Sequence, residues 1–294
     1  MQRPSRFLDK LHEFLLDVTP KTRFFDKQIS TFQFLNAHRR LPGSRVSLND
    51  ALYRLKTSDE ILRPERVLTS DKELAKDLIR QRIDEKHVVP TLAVLRSKQE
   101  VRDFVFPNRC VIKPTHTSGD VILRRNGEPV DVPKILGWMD KNYYHNLREA
   151  NYRYLAPKII VEPFVFDADA IDDMKIFCYR GKARVIHWDF DRYSGLTRML
   201  YTRDWEPLEA SLLYPRATKR KERPRNLDAM LEAAERLASA FELVRIDMYT
   251  NDRDFLVGEI THIAGNATNP FIPADAEERV SALLFAGAPA AQTP

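Results

Sequence analysis

Cysteine is scarce in this chain: Cys110 and Cys178 are the only two, and each sits inside an apolar run. That scarcity argues against a disulfide framework or a cysteine metal cluster and reads as two buried, reduced thiols. No apolar run is long enough to span a bilayer. The N-terminus has no uncharged hydrophobic core ahead of a small-residue cleavage site, so no secretory signal is visible. The cytoplasm is the expected compartment. The chain also has no GxGxxG fingerprint, no Walker A loop and no GxSxG elbow, and its scattered histidines lack HxxxH-type metal spacing. Internal repeats and low-complexity segments are absent.

What is present suits a sizeable core: 294 residues, 43% of them hydrophobic and 30% charged, with a mean hydropathy of −0.43. The net charge of +5 favours anionic partners such as phosphates, polyanions or anionic lipid, without selecting among them.

Residues 1–66 are helix-prone, with Phe7, Leu11, Phe14, Leu15 and Val18 near helical spacing and expected to face a core. Arg3, Arg6 and Lys10 could dock on a membrane surface, but Asp9, Glu13 and Asp17 interrupt that basic face. Ser70 and Glu73 have capping-box spacing ahead of a helix carrying Leu74, Leu78 and Ile83. Val88 to Leu95 reads as a strand. Cys110 to Pro114 reads as another, ending in Lys113 beside the small polar loop 115–120. Such a lysine can meet a phosphate while loop N–H groups supply directed donors; an exposed lysine at a hairpin turn is the alternative. Ile135 to Tyr154 reads as one helix. Lys158 to Phe166 is an apolar strand that Pro163 ends or places at an edge. Segments 172–179 and 183–189 form a hairpin around Arg180-Gly181-Lys182. Lys175 there needs an anionic partner, either a nucleotide phosphate or Asp172 or Asp173. Arg216 to Arg225 is a basic run, a solvated loop or a polyanion contact, without the aromatic interleaving of a nucleic-acid module. Met230, Leu231, Ala234, Leu237, Ala238 and Phe241 form one face of an amphipathic helix.

That helix leads to the stretch around which the chain is organised, Leu243 to Pro270. Two β-rich runs flank the turn 250–254, one carrying Asp247 and the other Glu259. Two carboxylates on paired strands repel unless a cation lies between them. Mg²⁺, held by one or two carboxylates plus phosphate oxygens, meets that need. Two solvated outward-facing acids are the alternative.

The order Ser70-Asp71-Lys72, Val111 to Pro114, Asp173 to Phe177, Asp204-Trp205, Arg245 to Tyr249 and Gly258 to Thr261 resembles the TupA-like ATP-grasp family, over roughly Leu68 to Phe285. The resemblance implies an α+β, ATP-grasp fold: two α+β lobes enclosing Mg-ATP, after a helical N-terminal region. The expected divisions are 1–66, a nucleotide-binding lobe at 67–165, a catalytic lobe at 166–286 and a flexible tail at 287–294. By that likeness Lys113 and Lys175 would hold ATP phosphates, with Asp173 beside them. Glu162, Phe164 and Val165 would face adenine. Asp247 and Glu259 would bind Mg²⁺, and Arg245 would face the transferred phosphate, acting in catalysis with Lys175. Thr261 stands where many such enzymes have the asparagine that supplies a further ligand. Lys72, Arg192 and Arg198 are the expected substrate contacts, and the first 66 residues are expected to be peripheral to the phosphate chemistry. The implied reaction is carboxylate–amine ligation through an acyl phosphate, joining an amino acid to a uronic-acid carboxylate in polysaccharide biosynthesis, in the cytoplasm or at the inner membrane face. The alternatives are a kinase acting on a hydroxyl and a non-catalytic nucleotide- or polyanion-binding module.

The hairpin gives the first prediction. Asp247→Asn and Glu259→Gln should each abolish Mg-dependent ATP turnover while leaving the fold intact, because the amide keeps shape but loses the charge a hard dication favours. Thermal melting beside ATP turnover checks this. Solvated acids would instead leave turnover unchanged and stability within about ±0.5 kcal/mol.

Overall fold

Alternation of apolar and polar side chains sorts the strands into two main sheets, and the faces they leave polar meet. The computed structural model describes residues 6–43, 46–169, 172–190 and 195–287. The strands are β1 (Ala93–Leu95), β2 (Cys110–Pro114), β3 (Ile122–Arg124), β4 (Ile159–Glu162), β5 (Asp172–Tyr179), β6 (Lys182–Phe190), β7 (Thr197–Thr202), β8 (Pro207–Leu208), β9 (Ser211–Leu212), β10 (Leu243–Thr250), β11 (Phe255–Thr261) and β12 (Phe271–Ile272). One antiparallel sheet runs β1-β4-β2-β3, a second runs β11-β10-β5-β6-β7-β8, and β12 pairs with β9. The helices are α1 (Arg6–Val18), α2 (Arg23–His38), α3 (Leu48–Thr57), α4 (Pro64–Ser70), α5 (Ala75–Arg82), α6 (Lys98–Asp103), α7 (Val132–Met139), α8 (Tyr143–Leu147), α9 (Leu227–Ala238) and α10 (Ala276–Leu284).

The four-stranded sheet packs Cys110, Ile112, Ile159 and Val161 against α6 and α7, burying Val101, Ile135 and Trp138 with them. Its other face presents Val111, Lys113 and Glu162 to a cleft. On one face of the six-stranded sheet Met174, Ile176, Ile186, Trp188, Val244, Ile246 and Met248 pack on α9 through the predicted helical stripe. The opposite face is divided. Phe177, Tyr179, Val185, Leu200 and Leu243 are covered by residues of α2, α3 and α10. Further along, the same face turns polar, carrying Arg245, Asp247, Lys175, His187 and Asp189. Period-two alternation places all of these on one side.

A bulge corrects the register where β10 meets β11. Asp247 lies opposite Glu259, yet the next pair is Met248 with Val257, so Gly258 is the extra residue. The bulge keeps Val257 in the core and Glu259 on the polar face.

Several boundaries differ from expectation. Ser70 does not cap a helix: it ends α4 and donates to the Arg66 carbonyl, while Asp71 accepts from the backbone N–H groups of Glu73 and Leu74. The expected helix from Ile135 to Tyr154 is three short pieces, α7, α8 and a 3-10 turn at Ala150–Tyr152, broken by Asp140 to Asn142 and by Arg148 in the left-handed region (φ 55). The strand expected from Val88 starts only at Ala93. Phe14 and Val18, expected in a core, are exposed. α3 is not peripheral: Leu48, Leu52 and Tyr53 share a core with Phe177 and Leu243, and Lys56 donates to Asn266, just after β11. The residues from 288 onward lie outside the described residues.

The bulge glycine is the basis of the second prediction. A Cβ on Gly258 would stand 2.6 Å from the Tyr249 ring. Gly258→Ala is therefore expected to destabilise by about 1–2 kcal/mol as that ring is displaced, and adding Tyr249→Ala to recover most of the loss. Urea melts of the single and double variants decide it; a neutral single variant would mean that the ring yields freely.

Candidate functional site

The site is the cleft between the polar face of the four-stranded sheet and the β10–β11 end of the six-stranded one. Lys72, Lys113, Glu162, Phe164, Tyr249 and Glu259 line it, with Gly119 and Asp120 from the polar loop after β2.

Asp71 fixes Lys72 in place. Its buried carboxylate accepts from Thr115 Oγ1 (2.8 Å) and pairs with Lys158 (3.1 Å). The Lys72 N–H donates to the Thr115 carbonyl at 3.1 Å. The Lys72 ammonium donates to the Thr117 carbonyl and stands 4.0 Å from Glu259. Burial lowers the Lys72 pKa; Glu259 opposes the shift and Lys113 adds to it. The loop is held by His116, whose Nε2 lies 3.2 Å from the Trp138 carbonyl and whose Nδ1 accepts from the Lys158 N–H at 3.3 Å.

Glu162 is shared by two lysines. Lys113 reaches one carboxylate oxygen at 2.6 Å and Lys76 the other at 2.7 Å. Burial alone would push the Glu162 pKa up, but the two ammonium groups outweigh it and hold the carboxyl below its usual value. Burial likewise works against the Lys113 charge, yet Glu162, Tyr249 and Glu259 raise its pKa. Phe164 packs beneath Arg109, whose guanidinium carbon lies 4.4 Å from the ring centroid.

On the other wall, Asp247 sits between Glu259 on β11 and Lys175 on β5 in the strand register. Arg245 grips Asp247 through two hydrogen bonds, 2.7 and 2.6 Å, and reaches Thr261 Oγ1 at 3.2 Å. Burial works against the Arg245 charge, but Asp247, Glu259 and Asp173 outweigh it and raise its pKa. Burial pushes the Asp247 carboxyl up, with Glu259 adding to the rise, against the pull of Arg245 and Lys175. No group of three or more His, Cys, Asp or Glu side chains that could hold a metal is found among the described residues. A pair of carboxylates suits Mg²⁺, which keeps waters and phosphate oxygens in its other positions.

The expected residues therefore divide. Lys72, Lys113, Glu162, Phe164, Val165 and Glu259 line the cleft together. Asp247, Arg245 and Thr261 adjoin it through Glu259. Glu162 was expected beside adenine, but its side chain is committed to two lysines. Lys175 is already paired, with Asp173 and with Asp189 at 3.3 Å, as the salt-bridge alternative anticipated. Arg198 is spent in the same network: its Nε donates to Asp189 and its Nη1 to the Leu212 carbonyl, each at 2.6 Å. It stands on β7, three strands from β10. Arg192 lies outside the described residues. Within the basic run, Arg216 pairs with Glu209 and Arg223 with Asp228, and no residue of the run lines the cleft. Lys76 and Lys158 escaped the sequence reading, because one looks like a solvated helix lysine and the other like the polar start of a strand. Their partners lie far away in the chain.

The family sequence model described as TupA-like ATPgrasp matches residues 51–284. The match begins inside α3, ahead of the start near Leu68 expected from the motifs. No curated protein matches. Among solved structures, the chain is similar to D-alanine–D-alanine ligase from Helicobacter pylori, with 16% identity, a TM-score of 0.40, and 74% of this chain and 60% of that one covered. For the Bacillus anthracis ligase complexed with ATP the values are 14%, 0.37, 67% and 55%. For the ATP-grasp ligase PsnB complexed with minimal precursor they are 14%, 0.39, 74% and 62%. The chain thus spans less than two thirds of the length of each of these three.

The shared carboxylate yields the third prediction. Glu162→Gln should cost about 3 kcal/mol near neutral pH, because it leaves two buried ammonium groups without their counter-charge. The folded-state pKa lies below the ordinary 4.5. The stabilisation is thus complete above that value and is lost as pH falls through the lowered pKa. Urea melts on both proteins, from about pH 7 to about pH 3, should show the gap closing in acid. A gap that stays constant across the series would mean that Glu162 is not ionised in the fold.

Proposed function

We propose that this chain, which belongs to the TupA-like ATP-grasp family, is an ATP-dependent ligase that joins a carboxylate to an amine. The observation that carries the reading is the direct pairing of Asp247 with Glu259 at the edge of a cleft lined by Lys72 and Lys113. Two carboxylates side by side destabilise a sheet on their own; beside two ammonium groups they form a site for a metal-bound polyphosphate. Asp247 and Glu259 would hold Mg²⁺, which when bound neutralises phosphate charge and aligns the polyphosphate. Lys113 and Lys72 would meet the phosphates as point charges, and Phe164 and Val165 would face the adenine. Arg245, held charged by its neighbours, would stabilise the phosphoryl group as it moves.

In the reaction a substrate carboxylate oxygen attacks the γ-phosphorus, and ADP leaves. The amine then attacks the acyl carbon of the resulting acyl phosphate, and inorganic phosphate departs. For the carboxylate we propose a uronic acid of a surface polysaccharide, and for the amine an amino acid. The support is the family likeness together with the chain's net charge of +5. A cytoplasmic position, at or near the inner membrane face, belongs to the same reading. No helix among the described residues is long and apolar enough to cross a membrane.

The test incubates the full chain with Mg-ATP, glucuronate or galacturonate, and a panel of amino acids. ADP and phosphate should appear only when carboxylate and amine are both present, with a product of amide mass. A product that retains the phosphate would instead make the protein a kinase, and absence of ATP binding would remove the nucleotide chemistry altogether.

A further inference from the structure

Lys76 is buried at the start of α5, and its ammonium is fully used within the fold. The residue is 5% exposed and is not among those that line the cleft. An ammonium has three N–H donors. Lys76 directs them to the Val89 carbonyl at 2.8 Å, to Thr91 Oγ1, and to Glu162 Oε1 at 2.7 Å. Val89 and Thr91 lie just ahead of β1, where Leu92 donates to the Val161 carbonyl of β4 at 2.8 Å. Lys76 therefore joins α5 to the strand that carries Glu162.

The other oxygen of Glu162 meets Lys113 at 2.6 Å, and Lys113 lines the cleft. The three side chains form a row, Lys76–Glu162–Lys113. Two ammonium groups against one carboxylate leave one positive charge over. Lys76 is shut away behind the wall, so that charge is offered to the cleft at Lys113. Without Lys76 the row would be a closed pair with no net charge, and a buried pair is little screened by salt. A mere tie between α5 and β4 needs no charge. Desolvating an ammonium costs several kcal/mol, and a neutral donor could bond Val89 and Thr91 without that cost. The charge of Lys76 therefore calls for a reason beyond the tie.

We propose that Lys76 is a positioning residue for the nucleotide: it holds one oxygen of Glu162, keeps that carboxylate from neutralising Lys113, and so preserves the charge that Lys113 presents to a phosphate. The inference rests on the ligase reading and deepens it, because it assigns part of the phosphate affinity to a residue that touches no ligand. In the absence of Lys76 the carboxylate has Lys113 as its one close counter-charge and is drawn fully onto it. A phosphate must then compete with an undivided carboxylate for the same ammonium. The loss comes from an imbalance of charge, so removing the charge of Glu162 as well undoes it.

The experiment measures the affinity of the full chain for Mg-AMPPNP by calorimetry in wild type, Lys76→Met and Lys76→Met/Glu162→Gln, each shown to be folded by a cooperative thermal melt. Wild type should bind. Lys76→Met should bind ~10-fold more weakly, the size expected when a charge-assisted contact is lost. The double variant has no carboxylate to neutralise Lys113 and should return to within ~3-fold of wild type. A residue that only ties α5 to β4 gives the opposite pattern, since the second substitution removes a further buried contact. Should Lys76→Met fail to fold, Lys76→Gln, which keeps donors for Val89 and Thr91, takes its place in both proteins. If the folded single variant binds as wild type does, or if the double variant binds no better than the single one, the positioning role is refuted and the ligase reading stands. If wild type binds no Mg-AMPPNP, the ligase reading fails and takes this inference with it.

Discussion

Two negative charges placed directly across a pair of strands would ordinarily push a sheet apart, and much of this molecule can be understood as an answer to that repulsion. Asp247 and Glu259 face each other between β10 and β11. Arg245 neutralises the first through a two-point grip, and Lys72 stands off the second from across the cleft. Lys175, in register with Asp247, is balanced by Asp173 and Asp189, and Asp189 by Arg198, with His187 Nε2 adding a hydrogen-bond contact at 2.8 Å. Charge compensation therefore spreads along one face of the sheet from β11 to β7. The opposite face, packed on α9, is apolar from Val244 to Met248 and from Met174 to Cys178, and supplies the rigidity that fixes these groups.

The N-terminal helices serve the same face. α3 fills its apolar half through Leu48, Leu52 and Tyr53. It also ties down the loop after β11, since Asn49 donates to the Asn269 carbonyl and Lys56 to Asn266. His38 of α2 bonds the Ala267 carbonyl at 2.9 Å. A segment that looks like a peripheral helical extension in sequence is thus what keeps the chain near Thr261 in place.

Legibility in the sequence followed the range of the interaction. The β10–β11 hairpin, the β5–β6 hairpin and α9 were readable because each is set by local alternation or by a local apolar stripe. Lys113 could be placed because the strand, its closing proline and the polar loop are contiguous. The bulge at Gly258 was not readable, since a glycine in a strand does not say which neighbour it opposes. Lys76 and Lys158 were missed for a related reason. Their carboxylates, Glu162 and Asp71, lie more than eighty residues away in each case, and nothing local marks either pairing. Arg198 and Lys175 show the reverse case. A cation near an acidic stretch invites a ligand role, but each already has its anion within the fold.

The Lys113–Glu162 pair has a consequence for how anions are taken up. Lys113 is not a vacant charge awaiting a ligand, because Glu162 already occupies it at 2.6 Å and is itself tethered by Lys76. Glu162 takes one direction at the Lys113 ammonium, which has three N–H donors, and so offsets part of its charge without closing it to a second oxygen. On the proposed reading a phosphate would meet an ammonium already held in place and partly compensated. A dense polyanion that also reached Lys72 would then gain more than a singly charged anion at Lys113 alone.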